Sequence, residues 1–252
     1  MPGSQSLPLA PRPVDDSAGR VVSHVRGLIE RGALRPGDRL PAERTLALQL
    51  NVSRPTVRAA LRALAAMGVV RTRHGSGTYI REGPPRLDSE PLSFLAALHG
   101  IGRAELYEAR RILEVAAAGL AAERATPEHM ATLAEEVASL FAATDAPQTF
   151  LVHDINFHRA VATASKNPIV ASLMDMVSKL FYEQRRKTAA LASDADRRAA
   201  ADMHRRIYQA IRLKDAATAR SAMDEHLRQA SAVQAQETRP RPRMVERVKR
   251  NG

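Results

Sequence analysis

The chain has 252 residues, of which 44% are hydrophobic and only 4% aromatic, with no Trp and no Cys. Such a composition supports one large or two smaller domains with an aliphatic, Ala-rich core, which suits helices better than sheets. It excludes a disulfide framework and a thiolate metal centre, and no apolar run reaches the ~18 residues of a membrane span, so a cytoplasmic protein with no membrane partner is expected.

The formal net charge of +11 is segregated along the chain. Residues 17–83 hold 12 Arg against four acids, and residues 239–252 hold six basic residues against Glu246 alone. Residues 84–238, by contrast, hold 19 basic and 20 acidic side chains. Positive charge confined to one module points to phosphate neutralisation there rather than to solubility alone. Residues 1–16 carry four Pro and lack the charged-then-apolar order of a signal peptide, so they are expected to form a disordered arm.

Residues 17–81 predict a first domain of three helices and a hairpin. The first helix runs from about Ala18 to Arg31, with Val21, Val25, Leu28 and Ile29 on one stripe, and Gly32 ends it. The second begins near Pro41 and turns Leu46 and Leu50 inward. After the tight Asn51-Val52 connection, Ser53 caps the third helix, where Pro55 is tolerated and Val57, Ala60, Leu61 and Leu64 are buried. Val69–Arg73 and Thr78–Ile80 then read as two strands joined by His74-Gly75-Ser76-Gly77. Short helix, short turn and capped helix make a helix-turn-helix, whose second helix enters the major groove N-terminus first. Arg54 and Thr56 stand at that end, and Arg is the side chain best suited to a bidentate contact with guanine. Arg44 and Arg58 are placed to meet phosphate or a base edge, and the glycine hairpin forms a wing.

Residues 34–80, from Leu34-Arg35-Pro36-Gly37-Asp38 through Val52-Ser53-Arg54-Pro55-Thr56-Val57-Arg58 to His74-Gly75-Ser76-Gly77-Thr78-Tyr79, resemble the winged helix-turn-helix of GntR-type bacterial transcription regulators. The resemblance implies that Arg44, Arg54, Thr56, Arg58, His74 and Gly75 contact double-stranded operator DNA. Ser53 joins that set as the cap of the reading helix. It also implies a homodimer on a short palindrome.

Residues 82–91 are Pro-rich and polar and break both periodicities, which places a linker there. From 92 to 236 the pattern is helical throughout, with turns at Thr126-Pro127, Asp145-Ala146-Pro147 and Lys166-Asn167-Pro168. Six or seven helices in an all-α antiparallel bundle are expected, so the chain as a whole is mainly α.

Polar residues fall on the apolar stripes of this second domain. Phe150, Asp154, Phe157, His158 and Val161 share a face, with Asp154 and His158 spaced i, i+4. Ala200, His204, Ile207 and Ile211 form a second stripe, and Ala219, Met223, His226 and Ala230 a third. One carboxylate and three imidazoles thus turn inward and need partners. Hydrogen-bonded core histidines, a simple Asp154–His158 ion pair, or a divalent metal would each meet that need. Oxygen and nitrogen ligands without sulfur suit zinc first, and also nickel, iron or manganese. Arg110 shares a face with Leu106, Leu113 and Ala117, and a buried Arg wants a carboxylate, either Glu114 or a bound organic acid.

Residues 104–123, with Leu106-Tyr107-Glu108-Ala109-Arg110-Arg111-Ile112-Leu113-Glu114, are similar to the opening of the FCD effector domain in the FadR-type branch of GntR regulators. Asp154-Ile155-Asn156-Phe157-His158, His204 and Met223-Asp224-Glu225-His226-Leu227 resemble that domain's metal motif. The resemblance implies that Asp154, His158, His204 and His226 hold the metal, and that a small carboxylate effector completes its coordination and reaches Arg110. Residues 237–252, a basic tail, lie beyond the resemblance and are expected to be disordered.

The expectation is a metabolite-responsive, sequence-specific DNA-binding regulator, a repressor rather than an activator, and not an enzyme. A metal-dependent hydrolase or oxygenase in the bundle is the first alternative. Against it, the inward stripes show no spare acid or base. An architectural DNA-binding protein with an inert bundle is the second.

Overall fold

The computed structural model describes residues 16–84 and 87–237, with side chains to residue 235. The expected arm (apart from Asp16) and the expected basic tail (apart from Glu237) lie outside the described residues. The chain divides into two compact units, Met1–Pro84 and Pro85–Gly252.

The first unit contains α1 (Ser17–Glu30), α2 (Glu43–Leu50), α3 (Arg54–Ala66), β1 (Val70–Arg73) and β2 (Gly77–Ile80). Asp16 caps α1 by accepting from Gly19 N, and Ser53 caps α3 by accepting from Thr56 N. Asn51 adopts a left-handed conformation, φ 49°, that lets α2 turn into α3 in three residues. The strands pair antiparallel with Val70 opposite Ile80 and Arg73 opposite Gly77. Val21, Val25, Leu40, Leu46, Val57, Leu61, Leu64, Val70 and Ile80 close one aliphatic core.

Three local expectations shift here. The second helix starts at Glu43, not at Pro41. Residues 38–40 are held extended against β2, with Leu40 N donating to Thr78 O at 2.8 Å and Ile80 N to Asp38 O at 2.8 Å, so the chain coils only afterwards. The hairpin loop is one residue shorter, because Gly77 already pairs with Arg73. Gly77 has φ 124°, a conformation side-chain-bearing residues rarely adopt, and a Cβ there would also have to displace the Arg39 side chain, 2.9 Å away at Nε. On α1, Ile29 lies at the exposed edge of the stripe that Val21 and Val25 bury.

The second unit is helical: α4 (Glu90–His99), α5 (Arg103–Arg124), α6 (Pro127–Ala142), α7 (Pro147–Ala164), α8 (Pro168–Arg185), α9 (Asp194–Arg212) and α10 (Ala216–Glu237), with a 3-10 turn at Ala189–Leu191. Pro127, Pro147 and Pro168 open α6, α7 and α8, where a missing N–H costs nothing and the fixed φ suits the helix. Pro91 does the same in α4, so that helix begins inside the segment expected to be linker. Thr126, Asn167 and Ser193 cap α6, α8 and α9 through their side chains. Helix α5 packs against α7, α8, α9 and α10. Its Ala117, Ala118, Gly119, Ala121 and Ala122 are all buried, and their small size lets those helices come close. Leu133, Leu140, Phe157, Ile207, Met223 and Leu227 fill the interior.

Candidate metal centre and nucleic-acid interface

The inward stripes of α7, α9 and α10 converge on one point. Asp154 and His158 from α7, His204 from α9 and His226 from α10 bring one potential ligand atom each within 4.8 Å of one another. His226 Nε2 lies 3.2 Å from His158 Nε2, His204 Nε2 lies 3.2 Å from Asp154 Oδ1, and His158 Nε2 lies 3.8 Å from the same oxygen. Four donors around one zinc ion stand roughly 3.3 Å apart, given bonds of about 2.0–2.1 Å and tetrahedral geometry. Two of the observed separations, 3.2 Å each, match that, and the set as a whole, within 4.8 Å, is somewhat wider.

A hydrogen bond to His204 and a close contact at His158, both outside the cluster, indicate which ring nitrogens face in. His204 Nδ1 lies 2.7 Å from Ala200 O, a carbonyl that only accepts, so Nδ1 carries the proton. His158 Nδ1 likewise faces the Glu114 carboxylate. Both Nε2 atoms then present lone pairs to the centre, and that of His204 is buried and faces a carboxylate oxygen. Two acceptors at this distance need positive charge between them, a proton or a cation. Phe157 closes the wall, with its ring edge-on to His204 at 4.8 Å between centroids.

The electrostatics agree. Burial alone would raise Asp154, but a proton on His204 bonded to it, with the charge of a protonated His158 and of Arg110 nearby, holds its carboxyl well below the usual carboxylate range, and a cation at the same place would act in the same sense. Glu114, also pushed up by burial, is held low by Arg110 and His158. Burial and the neighbouring His204 and His158 push His226 well below the ordinary histidine value, which keeps it neutral and ready to act as a ligand. Such oxygen and nitrogen donors suit a borderline divalent cation.

A cavity of about 120 Å³ adjoins the cluster, lined by Asp154 and His226 together with Tyr107, Arg110, Phe181 and Arg185. Arg110 is buried; its Nε donates to Glu114 at 2.5 Å and its guanidinium lies 4.1 Å from the Phe181 ring centroid. Of the two partners weighed for Arg110, Glu114 is the one in place, and Arg110 also lines the cavity. Arg197 also lines the cavity, but its donors go to Thr144 O, Ala192 O and Asp194, which makes it a strut between α9 and its neighbours.

The stripes conceal one acid. Glu114 lies beside His158, contrary to the expectation that no spare acid stands near the ligands; both its oxygens are engaged, by Arg110 and by His158. The only local signal was its i, i+4 spacing from Arg110. Tyr107 was also missed. Its hydroxyl is buried without a hydrogen-bond partner among the described residues, and burial raises its pKa.

In the first unit the expected DNA-facing residues lie at the surface. Arg44 and Arg54 are exposed and, among the described residues, form no ion pair; Arg62, one turn beyond Arg58, is alike. Arg58 is tied to Glu43 at 3.0 Å, bracing α3 against α2. Ser53 and Thr56 share a hydroxyl hydrogen bond of 2.8 Å, so both hydroxyls serve the cap. His74 and Gly75 are exposed at the hairpin tip, and Arg73 stacks over Tyr79 at 5.0 Å.

Comparison with known proteins matches residues 17–80 to the family described as bacterial regulatory proteins, gntR family, and residues 105–229 to the FCD domain. The HTH-type transcriptional regulator LutR of Bacillus subtilis (strain 168) is 34% identical over 203 residues, covering 79% of this chain and 93% of its own. The putative L-lactate dehydrogenase operon regulatory protein of Escherichia coli (strain K12) is 34% identical over 227 residues, covering 86% and 84%. Among solved structures, Streptococcus agalactiae GntR superposes with a TM-score of 0.65 at 28% identity, covering 85% of this chain and 99% of that one.

Proposed function

The chain belongs to the gntR family of bacterial regulatory proteins and carries an FCD domain, and from that premise we propose that it is a homodimeric repressor whose operator affinity is set by a divalent metal and a small carboxylate in the second unit. The observation that carries this reading is the convergence of Asp154, His158, His204 and His226 beside a cavity that Arg110 lines. Those four residues would hold the ion, with zinc favoured, and nickel, iron or manganese also compatible with the donor set. When bound, the ion supplies a Lewis-acidic site for a carboxylate. Arg110 supplies a charge-assisted fork for the same group, and Phe150, Leu151 and Phe181 give the cavity an apolar wall. The volume suits a small organic acid.

In the first unit Arg54 and Thr56 lead α3 into the major groove, Arg44 meets phosphate or a base edge, as does Arg58 once it leaves Glu43, and His74 and Gly75 reach the DNA from the wing. The acid changes operator affinity only through its differential affinity for two arrangements of the dimer. Relatives named as a lactate-operon regulator and as the repressor NanR support a metabolite-linked repressor. No helix among the described residues is long and apolar enough to cross a membrane, which fits a cytoplasmic regulator.

Elemental analysis of the purified chain, with operator binding measured against carboxylates before and after chelation, tests the reading. About one ion per chain and carboxylate-dependent operator release that chelation abolishes are expected. Operator binding indifferent to metal and to every carboxylate would leave a regulator without this switch.

A further inference from the structure

Glu114 has no task in the reading above, yet it is among the most deeply buried side chains of the second unit. It stands between Arg110 and His158. Its Oε1 accepts from Arg110 Nε at 2.5 Å, and its Oε2 meets His158 Nδ1. All three side chains are at most 3% exposed, so water screens neither contact. A packed apolar set would stabilise the same space as well as a buried ionic row does.

What the row connects is therefore informative. At one end His158 offers Nε2 to the cluster of Asp154, His204 and His226. At the other end Arg110 lines the cavity. With the imidazoles neutral, Asp154, Glu114 and Arg110 leave one negative charge. Of the other charged groups on the cavity wall, Arg197 is paired with Asp194, and Arg185 and Asp196 are opposite in formal charge. A carboxylate entering that site is repelled. With a divalent cation on the four ligands the balance becomes one positive charge, which a carboxylate offsets. His158 carrying a cation on Nε2 is also a stronger donor through Nδ1, drawing the Glu114 charge toward the imidazole and away from Arg110. Arg110 then directs more of its field into the cavity.

We infer that Glu114 couples the two ligands: it neutralises Arg110 while His158 is metal-free, so that carboxylate binding is conditional on the metal, and by reciprocity the bound acid tightens the metal. The inference rests on the metal-and-acid reading proposed above and adds to it a residue acting on both ligands through its neighbours.

The test is calorimetric titration of the full chain near pH 8, first with zinc and then with acetate or L-lactate, for the wild type, Glu114→Gln and Glu114→Asp. In Glu114→Gln, zinc affinity is expected to fall about 10–100-fold. Carboxylate affinity of the metal-free variant is expected to rise about tenfold over that of the metal-free wild type, as for release of one unit of charge pairing. The zinc dependence of carboxylate binding should then shrink well below the wild-type factor, leaving only the direct attraction of the ion for the acid. The two affinities move in opposite directions, whereas a merely structural role would weaken both. Glu114→Asp keeps the charge but shortens the reach. It should preserve the repulsion and weaken the coupling, and it is the variant to read if Glu114→Gln does not fold. A folded variant whose carboxylate affinity still rises with zinc by the wild-type factor would overturn the role of Glu114 and leave the proposed function standing. A wild-type chain that takes up no zinc, or that takes up zinc and then ignores both carboxylates, would remove the reading itself and the coupling with it.

Discussion

The two units place charge in opposite ways. In the first, the Arg side chains lie on the outside of an aliphatic core in which, among the described residues, no ionisable side chain is buried. In the second, Arg110, Glu114, His158, His204 and His226 are inside, each held by another or by backbone. A surface cation stays solvated and free to meet phosphate, and deleting it leaves the fold alone. An interior charge persists only as part of a set, so deleting one member disturbs both stability and whatever the set binds. Function and stability should therefore separate in the first unit and move together in the second.

The sharpest break of that contrast is Arg110→Met, which leaves Glu114 buried beside His158 alone. Loss of about 3–5 kcal/mol of stability is expected from breaking a buried pair, measured by urea unfolding followed by circular dichroism. Loss below about 1 kcal/mol would show that the row relaxes easily. His204→Ala should strip most of the metal and destabilise the second unit together; full occupancy in that variant would remove His204 from the ligand set. Arg54→Ala is the counterpart in the first unit. It should weaken specific operator binding about 10–100-fold, the worth of about 1–3 kcal/mol for a bidentate base contact, with metal content and unfolding midpoint unchanged. Metal loss in parallel would mean misfolding instead.

Acid should also separate the units. In the metal-free chain the depressed Asp154 and Glu114 contribute stability above the ordinary carboxylate range that is lost as pH falls toward their lowered values. His226 is depressed as well, so below about pH 6.5 the unfolded chain takes up a proton that the native one refuses. All three act in one direction. Stability of the second unit should decline from about pH 7 downward, as should zinc affinity, because ligand protonation competes with the metal. The smallest expected effect is Ser53→Ala, at about 1 kcal/mol for a lost cap, with specific operator binding reduced because α3 frays at its reading end.

The contrast also explains what could be read from the sequence. Caps, prolines and stripes are local signals, so Ser53, Pro127, Pro147, Pro168 and the inward faces of His158, His204 and His226 were legible in it. Contacts between distant segments were not. The pairing of residues 38–40 with β2 moved the start of α2, and no periodicity of three residues announces such a strand. Glu114 was visible only as a neighbour of Arg110, because its second partner, His158, lies on another helix. The approach of α7, α9 and α10 that turns three separate stripes into one cluster depends on packing that residue spacing does not encode.

The measurement that tests the central claim most directly is sequencing of genomic fragments captured by the purified, metal-loaded protein at physiological salt, with and without small carboxylates. The account predicts a few enriched sites sharing a short palindrome, whose capture changes with a carboxylate and ceases to respond in His204→Ala. Uniform capture of fragments, unaltered by any acid, would contradict it.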